Sequence, residues 1–477
     1  MQHSRWTLLP SALLWVACLA VYCVPPYARA MPYPNAPAQQ SQTQIYLPLV
    51  TNTRTFIITG SLQAAADAAK PGDTLVLRNG VADGDLTIRR AGTASAPITL
   101  LGAGTGQSII HGAVRVNGAA AFWRIQNLDV NANGEQDAIR IEAPAHHISL
   151  QGLHLYGGRG YGLRIGNDTS HVLIEDSEID HFDAGDSDAH GVGIMTASDV
   201  VIRRCAIHHN SGDAIQSNTP DYPGYGRFAS TILVEHSQLH DNRENALDVK
   251  STHGLTFRDN QLWGFRAVES SDGMAIQVQH DAQHIVIMGN QIWDAVEGIE
   301  VSQGEKGGTP YPTAPHDVLI AGNLLHDLVT DPAGDSGNGS GIIIRTSTLV
   351  RVYNNTVLRA AGSGLYLSVS SVGLHPTDVD IRNNVFDGQS NDLRFAQLPN
   401  TVAGLIVDYN HYVSGRVDSA TLEVWLAKSY ERHATTGNPQ LDAHLLPRDD
   451  SPLHDSGIDV GLPFTGDRPD RGWGESP

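Results

Sequence analysis

Covalent cross-links are all but missing from this 477-residue chain. It has three cysteines, and two of them, Cys18 and Cys23, lie in an apolar stretch near the start. Cys205 is then alone, so no disulfide can form within the rest of the chain, and packing and backbone hydrogen bonds must hold it. Aromatic residues are only 6%, fewer than a compact α/β enzyme of this size usually carries. Lysine is scarce: after residue 30 there are only Lys70, Lys250, Lys306 and Lys428. Positive charge is in deficit, with a formal net charge of −20, or −22 once Arg5 and Arg29 of the first 30 residues are set aside. That balance excludes nucleic acid as a partner, because backbone phosphates need compensating Lys and Arg. It also repels a polyuronate, so an acidic glycan would need a bound cation as a bridge. Beyond the N-terminal stretch there is no apolar run of ~20 residues to span a membrane. No HExxH, cysteine-bearing zinc spacing or phosphate loop is present.

What is present begins with an export-type leader. Arg5 precedes an apolar run from Leu8 to Val24, and Ala28-Arg29-Ala30 has the small-x-small cleavage form. The expected division is a signal peptide at 1–30, a Pro/Gln/Ser-rich linker at 31–54, a solenoid at 55–415 and a C-terminal cap and tail at 416–477. Ile45–Val50 is either a first strand or part of the linker. The expected location is secreted or extracellular, at the cell surface as one form of that, and the expected state is a monomer.

The main signal is internal repetition. A short alternating strand, a corner residue, an apolar residue and a polar turn recur around Asn127, Gly152, Ser177, Cys205, Ser237, Asn260, Asn290, Asn323, Asn355, Asn384 and Asn410. Successive spacings run from 23 to 33 residues. No helical period separates the strands, which excludes leucine-rich repeats, and propeller blades need ~40 residues or more. Short alternating strands at this spacing fit one coil of a parallel β-helix, each strand stacked at ~4.8 Å on its neighbours. Asn tolerates the left-handed region and its amide can bond to the Asn of the next coil, so Asn260 to Asn410 read as an asparagine ladder.

A second line recurs upstream of each corner, as in DAIRI, YGLRI, HGVGI, GDAIQS, NALDVK, MAIQV, GIEV and GIII. Its apolar residues point inward. Arg140, Arg164, Gln216, Asp248, Gln277 and Glu300 should form an outward row. Insertions at Thr219–Ser230, Gly304–His316 and Thr330–Ser340 are placed to wall a groove. Residues 60–70 read as a short amphipathic capping helix, Leu422–Tyr430 as a second helix and the final stretch as an irregular cover, since bare coil ends would expose strand edges.

The opening SLQAAADAAKPGDTLVLRNG at Ser61–Gly80 resembles the N-terminal cap and first coil of pectate-lyase-like right-handed parallel β-helices. APITLLG at Ala96–Gly102 and the segment Asn438–Gly457 fit as well, so the resemblance covers roughly residues 55–460. It implies an all-β right-handed parallel β-helix with a short N-terminal capping helix. The middle coils look most like family 9 pectate lyases and their relatives. That resemblance implies one calcium held by carboxylates of adjacent coils and a lysine as Brønsted base. The acidic strand element is matched by Glu244-Asn245-Ala246-Leu247-Asp248, with Asn in place of the second acid, and the preceding coil's carboxylate by Asp213. The family's base position falls on Gln277, and Lys250, on the strand of Asp248, is the lysine nearby.

Asp213, Glu244, Asn245 and Asp248 offer only oxygen, which suits Ca2+ and not zinc. Lys250 near a cation would meet the needs of β-elimination: a base at the C5 proton of a uronate and a positive charge at its carboxylate. Arg243, Arg203 and Arg266 are candidates for gripping further carboxylates in a bidentate fork. Gln277 and His190 join them as substrate-binding candidates, His190 also as an alternative base. The expected activity is therefore a calcium-dependent polysaccharide lyase on an acidic glycan. Three alternatives stay open: a non-catalytic glycan-binding or structural surface β-helix, a glycoside hydrolase and an epimerase. A plain Asp248–Lys250 ion pair is the alternative to catalysis at Lys250.

Overall fold

Alternation of apolar and polar residues makes every strand a wall with one dry and one wet face, and stacking such walls in register produces a solenoid. The computed structural model shows this arrangement. It describes residues 54–475 except 135–136, 218–226, 307–308, 332–338, 370–372, 397–401, 418–419 and 422–430. The leader, the Ile45–Val50 stretch and the expected Leu422–Tyr430 helix lie outside the described residues. Among those described, two large sheets carry the coils, one of 14 short strands and one of 26. Pairing between coils is parallel throughout. On the short-strand sheet Ile139, Leu163, Val192, Ile215, Leu247, Ile276, Ile299 and Ile342 lie directly over one another. All are fully buried. The residue that precedes each of them, from Ala138 to Gly341, is only Ala or Gly. At Gly341 an added Cβ would stand 2.6 Å from the carbonyl oxygen of Gly364 on the next coil.

The asparagine ladder is present. The backbone N–H and Nδ2 of Asn260 both donate to Oδ1 of Asn290, and the same pair of bonds repeats through Asn323, Asn355 and Asn384 to Asn410. Glu431 closes it, accepting from Nδ2 of Asn410 at 2.7 Å. The expected backbone state was misplaced. The left-handed residue is the one before the ladder position, namely Asp259, Gly289, Gly322, Asn354, Asn383 and Tyr409. It makes the corner and turns the ladder amide inward. Asn127 and Gly152 belong to that left-handed row, not to the ladder, so the first two repeats are aligned one residue off.

The N-terminal end is covered. Ser61 caps the Leu62–Ala68 helix by accepting from the N–H of Ala64. Gln63 on that helix bonds both the N–H and the C=O of Thr87, so its amide completes the bare edge of the first short strand. At the other end the tail doubles back along the 26-stranded sheet. Asn383 donates to the carbonyl of Ile458 and Asn354 to that of Asp470. The outward row under it runs Glu175, Arg203, Glu235, Arg258, Met288, Ala321, Tyr353. It is charged where water reaches it and apolar where Val460 and Leu462 of the tail pack.

Candidate active site

Each coil enters the short-strand sheet through a corner residue two positions before the inward apolar one. In successive coils these are Asp137, Tyr161, His190, Asp213 and Asn245. They form a second ladder. The N–H of Tyr161 donates to Oδ1 of Asp137, and the Tyr161 and His190 rings stack at 5.2 Å. Gly193 makes room for that stack, since a Cβ there would overlap the Tyr161 ring. Nδ1 of His190 faces both the backbone N of Asp213, at 2.9 Å, and its Oδ2, at 3.2 Å. Asp213 in turn accepts from the N–H and Nδ2 of Asn245 on Oδ1, and from Nε2 of Gln216 on Oδ2. Asn245 then accepts from the hydroxyl of Ser271.

Asp213 is thus a structural acceptor as well as a candidate ligand. It is 0% exposed and holds the next coil as the asparagines do. Three of its lone pairs are occupied, and Oδ2 also lies 3.2 Å from Nδ1 of His190. Burial opposes its charge, but His190, Lys250 and the Asn245 N–H outweigh burial and hold the carboxyl below its ordinary range. Glu244 has the opposite fate. Burial, and then the charge of Asp213, push it up to about 7. His190, Asp213 and Glu244 present ligand atoms that all lie within 4.8 Å of one another, and all three residues are buried. Asp248 is not part of that convergent group.

The outward row predicted from the repeat exists: Arg140, Arg164, Gly193, Gln216, Asp248, Gln277 and Glu300 follow one another in register. Asp248 and Glu300 are nonetheless buried, at 3% and 2% exposure. Lys250 shares the face of Asp248, and its ammonium stands 2.6 Å from the Asp248 carboxylate. Nε2 of Gln279, in register with Lys250, donates to Oδ1 of Asp248 and to Oε1 of Gln277. Burial works against the Lys250 charge, but Asp248 and then Asp213 more than offset it and raise the ammonium above its usual pKa. Asp248 is raised, chiefly by burial. Gln279 was missed from sequence. Its signal was its position, one coil on from Lys250 and two residues after Gln277.

The predicted arginines separate. Arg243 reaches Asp188 at 2.5 Å and the carbonyl of Gly185, tying the 185–188 turn to the coil that bears Glu244. Arg266 pairs with Asp294 at the next corner. Arg203 is on the other sheet, paired with Glu175, so it does not line this site. Sequence spacing put it near the cluster, but its strand belongs to the opposite wall of the coil.

The Glu244 carboxyl gives a pH prediction. Its folded pKa is above its unfolded one, so the folded chain keeps a proton that the unfolded chain has released. The stability it contributes is full below the ordinary carboxylate value of roughly 4.3 and is lost as pH rises through about 7. Glu244→Gln should abolish that loss and raise stability at pH 8, by about 3 kcal/mol at most. Urea midpoints at pH 5 and pH 8 measure it. An unchanged difference between the two pH values would show that Glu244 carries no such strain.

A model of the right-handed β-helix region matches residues 112–311. No curated protein matches the sequence. Among solved structures, the PL6 family alginate lyase AlyGC superposes with a TM-score of 0.60 at 13% identity, over 84% of this chain and 56% of that one. This chain thus spans little more than half of that lyase. Alginate lyase AlyF-OU02 superposes with a TM-score of 0.52 at 14% identity, over 75% and 82%. An alginate lyase from Paenibacillus sp. str. FPU-7 is 20% identical over 68% and 95%, with a TM-score of 0.42. Among the described residues no helix is long and apolar enough to cross a membrane. The stacked coils, the matched region and the first two superpositions together make this chain a right-handed parallel β-helix.

Proposed function

We propose that the chain is an exported polysaccharide lyase that cleaves a uronate-bearing glycan by β-elimination. The observation that carries this reading is the buried charged group on the short-strand sheet. His190, Asp213 and Glu244 converge there, and the Asp248–Lys250 pair stands on the next strand positions. Such groups cost stability on a solenoid wall and are commonly kept for chemistry. The fold shared with two alginate lyases supports it. The pattern followed is that of the family 9 pectate lyases, with carboxylates from two adjacent coils beside a lysine.

The donor set fits a divalent cation in charge and distance. Two carboxylates lie within reach, and burial, then the charge of Asp213, push Glu244 toward its neutral form; a cation would offset the second. Glu244 and the Oδ2 side of Asp213 would hold Ca2+, with further oxygens from water and the glycan carboxylate. A calcium ion bound there would neutralise the uronate carboxylate and make its C5 proton more acidic. Lys250, in its amine form, takes the C5 proton. The electron pair left behind forms the C4–C5 double bond as the C4–O4 bond breaks, and the departing oxygen takes a proton. Asp248 and Gln279 hold Lys250 and its strand face in place, and Gln277 offers its amide to the sugar. Arg243 fixes the turn above the cluster.

Glu244 also gives a hydrolase reading some support, because a carboxyl near 7 is a general acid at neutral pH. Its partner Asp213 is too close and too fully hydrogen-bonded to admit a water between the two. Pectate, alginate and glycosaminoglycans incubated with the protein decide among these. A lyase yields an unsaturated uronate that absorbs in the near ultraviolet, and a chelator abolishes the signal. New reducing ends without absorbance would mark a hydrolase. Affinity without any product would mark a binding module.

A further inference from the structure

The 26-stranded sheet carries a second group of ligand-type side chains, on a different wall of the solenoid from the site above. Three coils contribute to it through the strands Ala121–Asn131, His146–Tyr156 and Glu178–Asp180. Register places Asp129, His154 and Glu178 in one outward row, and Asn131, Tyr156 and Asp180 in the next. Nε2 of His154 lies 2.9 Å from Oδ1 of Asp180. His154, Glu178 and Asp180 can each turn one ligand atom into a group no wider than 4.8 Å. Among the described residues Glu178 and Asp180 pair with histidines only: His208 for the first, His154 and His181 for the second. Among the described residues no Arg or Lys is paired with this negative charge, unlike the Glu175 and Glu235 carboxylates one row away.

A separate observation points the same way. Asp129, next to His154 in the stack, is only 3% exposed. Its Oδ2 accepts the N–H of Gly106 at 2.9 Å, while Oδ1 is buried without a hydrogen-bond partner. Its charge is felt by both His154 and Glu178. A buried carboxylate oxygen without a donor is costly, burial pushes this carboxyl above its ordinary range, and a cation beside it would offset both.

We infer that His154, Glu178 and Asp180, backed by Asp129, form a binding site for a divalent ion of the zinc class. One imidazole nitrogen with two or three carboxylates is a borderline donor set, suited to zinc and its first-row neighbours more than to calcium. The ion would replace the direct His154–Asp180 contact and tie three consecutive coils together. The site is independent of the proposed lyase chemistry.

The test uses the full chain, stripped of metal and titrated with Zn2+ by calorimetry. One equivalent should bind, and the melting temperature should rise with zinc. Asp180→Asn and His154→Gln should each weaken binding on the order of 100-fold and remove the thermal shift. Glu178→Gln, at an exposed position with no core role, should weaken it too and keeps the test valid if the other variants fold poorly. Glu244→Gln should leave this equivalent intact. Absence of zinc binding in the native chain overturns the site. So does binding that survives all three variants, or that disappears with Glu244→Gln or with His181→Ala/His209→Ala instead.

Discussion

Lys250→Ala is expected to abolish formation of unsaturated product, with kcat falling on the order of 10³-fold and KM little changed, since a positioned base contributes roughly 10²–10⁴-fold. The structure adds a condition. Lys250 sits against Asp248 at 2.6 Å and its ammonium is held above its ordinary pKa. The base form is therefore rare at neutral pH, and activity should climb as pH rises. Asp248→Asn removes the nearest charge that holds the proton. The acid limb of the pH–rate profile should then move to lower pH, while the same change in a chain where Lys250 is only a counterion would leave the limb in place. Turnover of Lys250→Ala at the native rate would end the assignment and return Lys250 to a plain ion pair. A cation near Asp213 would act in the same direction as Asp248→Asn, by offsetting the negative charge that keeps the lysine protonated, whereas a substrate carboxylate alone would act the other way.

Asn355→Ala should cost about 2–6 kcal/mol, read as a fall in the urea midpoint. Oδ1 of Asn355 accepts from both the N–H and the Nδ2 of Asn323, at 3.0 and 2.9 Å. Its own Nδ2 reaches the carbonyls of Ile320 and Tyr353 and Oδ1 of Asn384. Asn355 is fully buried, so alanine leaves two donors without acceptors where water cannot replace them, at ~1–3 kcal/mol each. Asn355→Ser should be milder, because a hydroxyl at the same ladder position, Ser237, accepts the N–H of Cys205. A loss below about 1 kcal/mol for the alanine variant would mean that the ladder adds little beyond the apolar stack.

The same ladder shows why parts of this protein were legible without coordinates. An alternating strand must put its apolar residues on one side, and a coil that repeats must put equivalent residues over one another. Ile215 over Leu247, Gln216 over Asp248 and Asn260 over Asn290 follow from those two statements. So does the neighbourhood of Asp213 and Asn245, and the shared face of Asp248 and Lys250. Spacing along the chain carries that information because the stacking axis is the same in every coil.

Position around the coil is another matter. Arg203 and Asp213 are ten residues apart, yet they stand on different sheets, because a corner intervenes whose angle no local pattern reports. The left-handed residue could not be told from the ladder asparagine beside it, since Asn is accepted at both. Nor could burial be read: Asp213 looks like a surface acid in sequence and is a fully enclosed hydrogen-bond acceptor in the fold. The amino-acid order alone determined the stacked-coil architecture and which side chains are axial neighbours, through local periodicity. Only the tertiary structure decided which neighbours are shut off from water and which carboxylates already have their lone pairs filled. Solvation and hydrogen-bond saturation sum over every wall and turn that closes on a group, and those are brought together by folding.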